Sequence, residues 1–102
     1  MKADKKSLLE FLESIKADIE GLERIGLFGS FARGEESVYS DIDIAVSKKR
    51  EFFLEHGAYS YFEMIAKLKK MVSERFHRPV DIFDLDSEST FKRKIESELI
   101  DV

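Results

Sequence analysis

The chain has 102 residues, of which 43% are hydrophobic, and it carries a net charge of −4 from 17 basic and 21 acidic residues. This length predicts one domain with a single core over residues 1–102, and the acidic balance argues against an extended basic surface for nucleic acid. The chain contains no cysteine, which excludes disulfides and cysteine zinc sites and is consistent with the cytoplasm. Charged residues interrupt every apolar run near the start, so we expect neither a signal peptide nor a membrane span.

Apolar periodicity, glycines and the one proline divide the chain into alternating helices and strands. The predicted elements, in chain order, are a helix from the Asp4 cap to Gly21, a strand over 24–28, a short helix from Ser30 to Gly34, a strand over 41–47, a helix over 59–76, a strand over 80–85 and a last helix capped by Ser87. Helices between strands predict an α/β or α+β fold, in which helices back a small mixed sheet.

Three helices show an apolar stripe. Leucines and isoleucines recur at helical spacing in the first helix, the helix over 59–76 carries Tyr61, Ile65, Leu68 and Val72 on one face, and the last helix has a narrower stripe formed by Phe91, Ile95 and Leu99. Residues 48–58 show no such pattern, so they predict a loop with at most one helical turn. Strong exposure of Phe52, Phe53 or Tyr61 in or near that loop would indicate a docking surface for another chain.

The first strand ends at a glycine and a serine, Gly29 and Ser30. A turn from strand to helix at this point leaves backbone N–H groups directed at open space, which is the arrangement that binds a phosphate. Arg33 follows three residues later and could contact the same phosphate, although a solvated pair with Glu36 is an alternative.

The sequence SDIDIAV, residues 40–46, places Asp41 and Asp43 between aliphatic residues. Side chains alternate between the two faces of a strand, so both carboxylates should emerge on one face. Asp81 holds the equivalent position in the later strand VDIFDL, and the three carboxylates could then meet. Carboxylates this close raise each other's pKa values, and Mg2+, which prefers one or two carboxylates together with substrate phosphates, would relieve their repulsion.

These residues also carry a family resemblance. The segment GSFARGEESVYSDIDIAV, with ten residues between Ser30 and Asp41 and a lone Asp81 on a later strand, resembles the nucleotidyltransferase signature of the DNA polymerase β superfamily. More narrowly, it is similar to the minimal nucleotidyltransferase (MNT) domains, and the likeness covers nearly the whole chain.

The resemblance implies a set of roles for these residues. Gly29, Ser30 and Arg33 would hold the nucleotide phosphates of ATP, and the three aspartates would bind two Mg2+ ions and form the catalytic group. It also implies a partner, because MNT proteins commonly pair with a helical HEPN protein. In such toxin-antitoxin systems the HEPN protein is an RNase toxin, and the MNT antitoxin is similar in activity to an adenylyltransferase that transfers AMP to a tyrosine of the toxin.

Larger superfamily members carry a further helical domain that recognises the acceptor. In this chain, recognition of the acceptor would therefore come from a dimer mate or a separate subunit.

Two other functions stay open. The chain could instead be a binding module that neutralises its partner by covering it, or the catalytic subunit of an enzyme that modifies a small molecule.

Overall fold

A computed structural model describes residues 3–102 of the chain. Within that range the chain forms four helices and four strands. In chain order they are α1 (Lys5–Lys16), β1 (Leu22–Phe28), α2 (Gly29–Arg33), β2 (Ile42–Lys48), α3 (Arg50–Phe76), β3 (Val80–Asp84), α4 (Lys92–Glu98) and β4 (Ile100–Asp101).

The four strands form one mixed sheet in the order β3-β2-β1-β4. Strand β1 is antiparallel to β2 and to β4, whereas β2 and β3 are parallel, with α3 in the connection between them. A parallel pair needs a long crossover, and a helix that packs on the sheet supplies it. The predicted small mixed sheet backed by helices is therefore confirmed.

Alternation along the strands gives the sheet two different faces. The main core, which includes the buried residues of α1 and α3, covers the face that carries Ile42, Ile44 and Val46 of β2. Each of these side chains is fully buried, and burial of such a side chain is worth about 1.5–3 kcal/mol. The opposite face carries Ala45, which packs with Ile95 of α4 in a second, smaller cluster.

The first helix begins as predicted but ends earlier. The Asp4 carboxylate accepts a hydrogen bond from the backbone N–H of Ser7 at 2.8 Å, which caps α1. The helix stops at Lys16, and Gly21 adopts a positive φ of 89° in the turn into β1. The glycine therefore marks the start of the strand and not the end of the helix.

The predicted loop over 48–58 is wrong, because α3 already begins at Arg50. Gly57 has φ 80° and ψ −179°, so the helix is kinked there, and this break hides the 3.6-residue period in the sequence. Phe52 packs against Gly21, and Phe53 makes an edge-to-face contact with Tyr61, which is buried. These three aromatic residues therefore belong to the fold and do not indicate a docking surface.

The C-terminal part also differs from the prediction. The Ser87 hydroxyl donates to the backbone carbonyl of Asp84 at 2.6 Å in a turn, and α4 begins only at Lys92. Ile95 is buried as expected, but Phe91 is 67% exposed. The two-residue strand β4 was not predicted, since so short a segment shows no periodicity.

In the described part of the chain, no helix is both long enough and apolar enough to cross a membrane.

Candidate functional site

Two aspartates lie side by side on neighbouring strands. In the parallel pairing of β2 and β3, Asp43 is directly opposite Asp81. Asp43 is half-buried and Asp81 is exposed, and both alternate with residues that point into the main core. Asp41 is exposed and lies one residue before β2, which begins at Ile42 and not at Asp41 as predicted.

The surroundings of Asp43 disfavour its charged form. Burial raises the pKa of the Asp43 carboxyl above its usual range, and the neighbouring carboxylates of Asp81 and Asp41 raise it further. The positive charge of Arg33 acts in the opposite direction, whereas Glu98 adds to the upward shift. A carboxylate in such an environment is stabilised by a cation, because the added positive charge offsets both burial and repulsion.

The turn formed by Gly29 and Ser30, called the glycine turn below, lies against the carboxylate of Asp43. Since β1 and β2 pair Phe28 with Asp43, the residue that follows Phe28 lies next to the Asp43 side chain. Gly29 has φ 75°, and a Cβ atom at this position would collide with Oδ2 of Asp43. Only glycine fits both the backbone conformation and the space.

The short helix α2 follows the predicted pattern closely. It begins at Gly29, one residue earlier than expected, and ends at Gly34 in the left-handed conformation with φ 72°. At its end, the Arg33 guanidinium donates to Glu35 at 2.8 Å and to both oxygens of Glu98 at 3.1 Å. Arg33 therefore pairs with Glu35 and Glu98, and not with Glu36 as the alternative interpretation had it.

Glu98, the last residue of α4, is the site residue that the sequence did not reveal. Its Oε1 accepts a hydrogen bond from the backbone N–H of Gly29 at 3.0 Å, in addition to the pair with Arg33. Nothing local in the sequence indicates this contact, because 69 positions separate the two residues. It depends on the packing of α4 beside α2.

A cavity of about 340 Å³ lies between these elements. One part of its wall is formed by the glycine turn, Arg33 and Asp43, and the other by α4. The α4 side is lined by Phe91, Lys94, Ile95 and Glu98. Volumes of this size are typical of small-molecule sites. The positive charges of Lys94 and Arg33 would allow such a cavity to accept an anion beside Asp43.

The acidic residues fit a Mg2+ ion only together with a ligand from outside the protein. Within residues 3–102, no three carboxylate or imidazole groups are assembled into a metal-binding cluster. Asp43 and Asp81 provide an adjacent pair of carboxylates, and Mg2+ commonly takes one or two carboxylates and completes its octahedron with phosphate oxygens and water. The donor set therefore fits Mg2+ bound together with a nucleotide.

Asp84 and the two histidines of the chain lie outside this arrangement. Asp84 forms an ion pair with Lys48 at 3.5 Å, near the far end of β2. His56 and His77 are both exposed, and His77 ends α3 in the left-handed conformation.

Known proteins are similar to this chain in sequence and in fold. Residues 10–100 match the family described as Polymerase beta, Nucleotidyltransferase. The Methanocaldococcus jannaschii protein named "Putative protein adenylyltransferase MJ1379" is 33% identical over 97 residues, which cover 93% of this chain and 91% of the relative.

Three solved structures have a similar fold. The structure described as "putative minimal nucleotidyltransferase" has a TM-score of 0.74 and 24% identity, over 96% of this chain and 95% of the other. A toxin-antitoxin complex with AMP-PNP gives a TM-score of 0.61 and 23% identity, over 97% and 72%. A tri-AMPylated Shewanella oneidensis HEPN toxin in complex with its MNT antitoxin gives 0.51 and 22%, over 95% and 66%.

Proposed function

This chain belongs to the polymerase beta nucleotidyltransferase family, and we propose that it is a Mg2+-dependent protein adenylyltransferase that acts as an antitoxin. The donor would be ATP, and the acceptor would be a tyrosine of a HEPN RNase toxin. Residues 1–102 would act as one domain, in the cytoplasm, where ATP is available.

The observation that carries this proposal is the contact between the glycine turn and the aspartate pair. The β1–β2 register brings Gly29 against Asp43, and the β2–β3 register places Asp81 beside Asp43. A phosphate-binding turn and a pair of carboxylates on adjacent strands are the two parts that phosphoryl and nucleotidyl transfer require. No other arrangement in the described residues brings these two parts together.

We assign the nucleotide phosphates to the cavity beside the turn. The Gly29 N–H and the Ser30 hydroxyl would donate to them, and the Arg33 guanidinium would neutralise part of their charge. Asp41, Asp43 and Asp81 would hold Mg2+, which when bound neutralises the negative charge that develops on the phosphates.

The reaction follows from this placement. The tyrosine oxygen of the acceptor attacks the α-phosphorus of ATP, a new P–O bond forms, and the bond between the α-phosphorus and the bridging oxygen of pyrophosphate breaks. Asp81 is exposed and lies at the edge of the site away from the glycine turn, so it would accept the proton of the attacking hydroxyl. Pyrophosphate leaves on the side of Gly29 and Arg33.

The proposed acceptor is supported by the comparisons. One relative is named as an adenylyltransferase, and a structure with the same fold is a complex between an MNT antitoxin and an AMPylated HEPN toxin. An acceptor protein would also supply the surface that positions the hydroxyl.

The test is transfer to the protein encoded beside this one. The purified chain is incubated with ATP, Mg2+ and that neighbouring protein, and the intact masses of both proteins are measured. We expect the neighbour to gain one or more AMP units, and Asp41→Asn to prevent the gain. A gain on this chain itself would instead identify this chain as the acceptor, and no gain on either protein would refute the transferase.

One observation favours a second candidate, an antitoxin that neutralises its partner by binding alone. Gly29 and Arg33 already have a carboxylate partner in Glu98, so this part of the structure is satisfied without a nucleotide. Asp41→Asn separates the two functions. A pure binder carrying this substitution should still neutralise the toxin, whereas an enzyme should lose that ability together with transfer.

A further inference from the structure

Glu98 occupies the place that the proposed function gives to the nucleotide phosphates. Its carboxylate accepts from the Gly29 N–H at 3.0 Å and forms a two-oxygen contact with the Arg33 guanidinium at 3.1 Å. Only 19% of the Glu98 side chain is exposed. The contact is therefore part of the packed structure and not a loose surface pair.

A carboxylate and a phosphate compete for these donors because both present anionic oxygens to them. An arginine guanidinium donates to either group, and a backbone N–H donates to either in a charge-assisted hydrogen bond. The single N–H of Gly29 and Nη1 of Arg33 are both occupied by Glu98, so a phosphate can take these two donors only if the carboxylate gives them up. One of the two anions has to leave.

We infer that Glu98 is an internal phosphate mimic that closes the nucleotide site, and that ATP binds only by displacing its carboxylate from Gly29 and Arg33. This inference rests on the proposed function, because it assumes that the triphosphate uses those two residues. The C-terminal end of α4, where Glu98 lies, would then control the affinity for the nucleotide.

The structure allows the displacement without loss of the fold. The anchor of α4 is Ile95, which is buried in the second cluster one turn before Glu98. The carboxylate lies at the cavity wall, so a rotation of the Glu98 side chain toward solvent would free both donors. Lys94 lines the same cavity and would remain to face the incoming phosphates.

The test is the affinity for AMP-PNP, measured with Mg2+ by isothermal titration calorimetry. Glu98→Gln keeps the size of the side chain but removes its charge, and a neutral acceptor holds the donors of Gly29 and Arg33 less strongly than a carboxylate does. We therefore expect this variant to bind AMP-PNP about tenfold more tightly than the native chain. Glu98→Asp, which keeps the charge but shortens the reach, should also bind more tightly and serves if the glutamine variant does not fold.

Glu35→Gln is the matched control. Glu35 also pairs with Arg33, at 2.8 Å, but the contacts of Gly29 are with Glu98 and not with Glu35. Removal of this charge alters the electrostatic field near Arg33 and should change the affinity by less than about threefold.

The outcomes distinguish the two proposals. Unchanged or weaker binding in a folded Glu98→Gln variant, with measurable binding in the native chain, would overturn the phosphate-mimic role and leave the adenylyltransferase intact. An equal gain in Glu35→Gln would attribute the effect to charge alone and would also overturn it. The absence of AMP-PNP binding in every variant would overturn the proposed function itself.

Discussion

Asp43→Asn is expected to lower AMP transfer by at least about 100-fold and, in the absence of Mg2+, to raise the thermal stability of the protein. The loss of activity follows from the loss of a carboxylate at the centre of the acidic group. The gain in stability follows because burial and the carboxylates of Asp81 and Asp41 disfavour the charge on Asp43. Transfer is measured by intact mass, and stability by the melting temperature of the metal-free protein.

The pH dependence of stability also tests whether the charge on Asp43 destabilises the folded protein. The pKa of Asp43 is raised in the folded state, so protonation of this group favours folding. That contribution is complete below the pKa of the unfolded state and is lost as the pH rises through the folded-state pKa. The melting temperature of Asp43→Asn should therefore exceed the native value more at pH 7 than in acid.

Asp18→Asn provides a control for this experiment. Asp18 is exposed in the turn after α1, so its substitution should leave transfer unchanged and alter stability by less than about 0.5 kcal/mol. An Asp43→Asn protein that is folded but melts below the native protein would show that the carboxylate is well satisfied in the apo state. Such a result would remove the electrostatic reason for a cation at Asp43.

The aspartate pair could be predicted because a strand imposes a period of two. That period placed Asp43 and Asp81 on the face opposite the aliphatic residues, and the parallel β2–β3 register aligns them. The glycine turn could be predicted for a similar reason, since Gly29 and Gly34 punctuate a short apolar helix. Both predictions depend only on residues that are close together in the sequence.

The features that were missed depend on contacts between distant parts of the chain or on breaks in periodicity. The sequence does not indicate the first turns of α3 because Gly57 interrupts the helical period, and β4 is too short to show any period. Glu98 was missed for a third reason. A single glutamate on a charged helix is ordinary until the packing of α4 brings it to Gly29.

Because local patterns are visible in a sequence and distant contacts are not, the aspartates and the glycine turn are easier to predict than Glu98, the residue that we propose controls access to them. The proposed catalytic residues lie on or next to strands and at a turn, whose local geometry the sequence encodes directly. The residue that we propose to regulate them acts from a separate helix, which is positioned by the small cluster around Ile95.

Gly29→Ala is expected to damage the site and the fold together. The backbone at Gly29 has φ 75°, which costs roughly 1–2 kcal/mol for a residue with a side chain, and the added Cβ would collide with the carboxylate of Asp43. The collision must move either the turn or Asp43, and a displacement of about 1 Å in a catalytic group can cost about 100-fold in rate. We expect a loss of this size in AMP transfer, measured together with the free energy of unfolding.

Gly34→Ala separates the two causes. Gly34 has nearly the same backbone angle, φ 72°, but in the described part of the chain no atom lies within 4 Å of the added Cβ. This variant should lose about 1 kcal/mol of stability and retain most of its activity. If both variants lost activity equally, backbone strain in α2 would be the cause, and the close approach of the glycine turn to Asp43 would not define the site. A selective loss in Gly29→Ala would mean that this approach, which allows a phosphate and a carboxylate-bound cation to meet, is the structural basis of transfer.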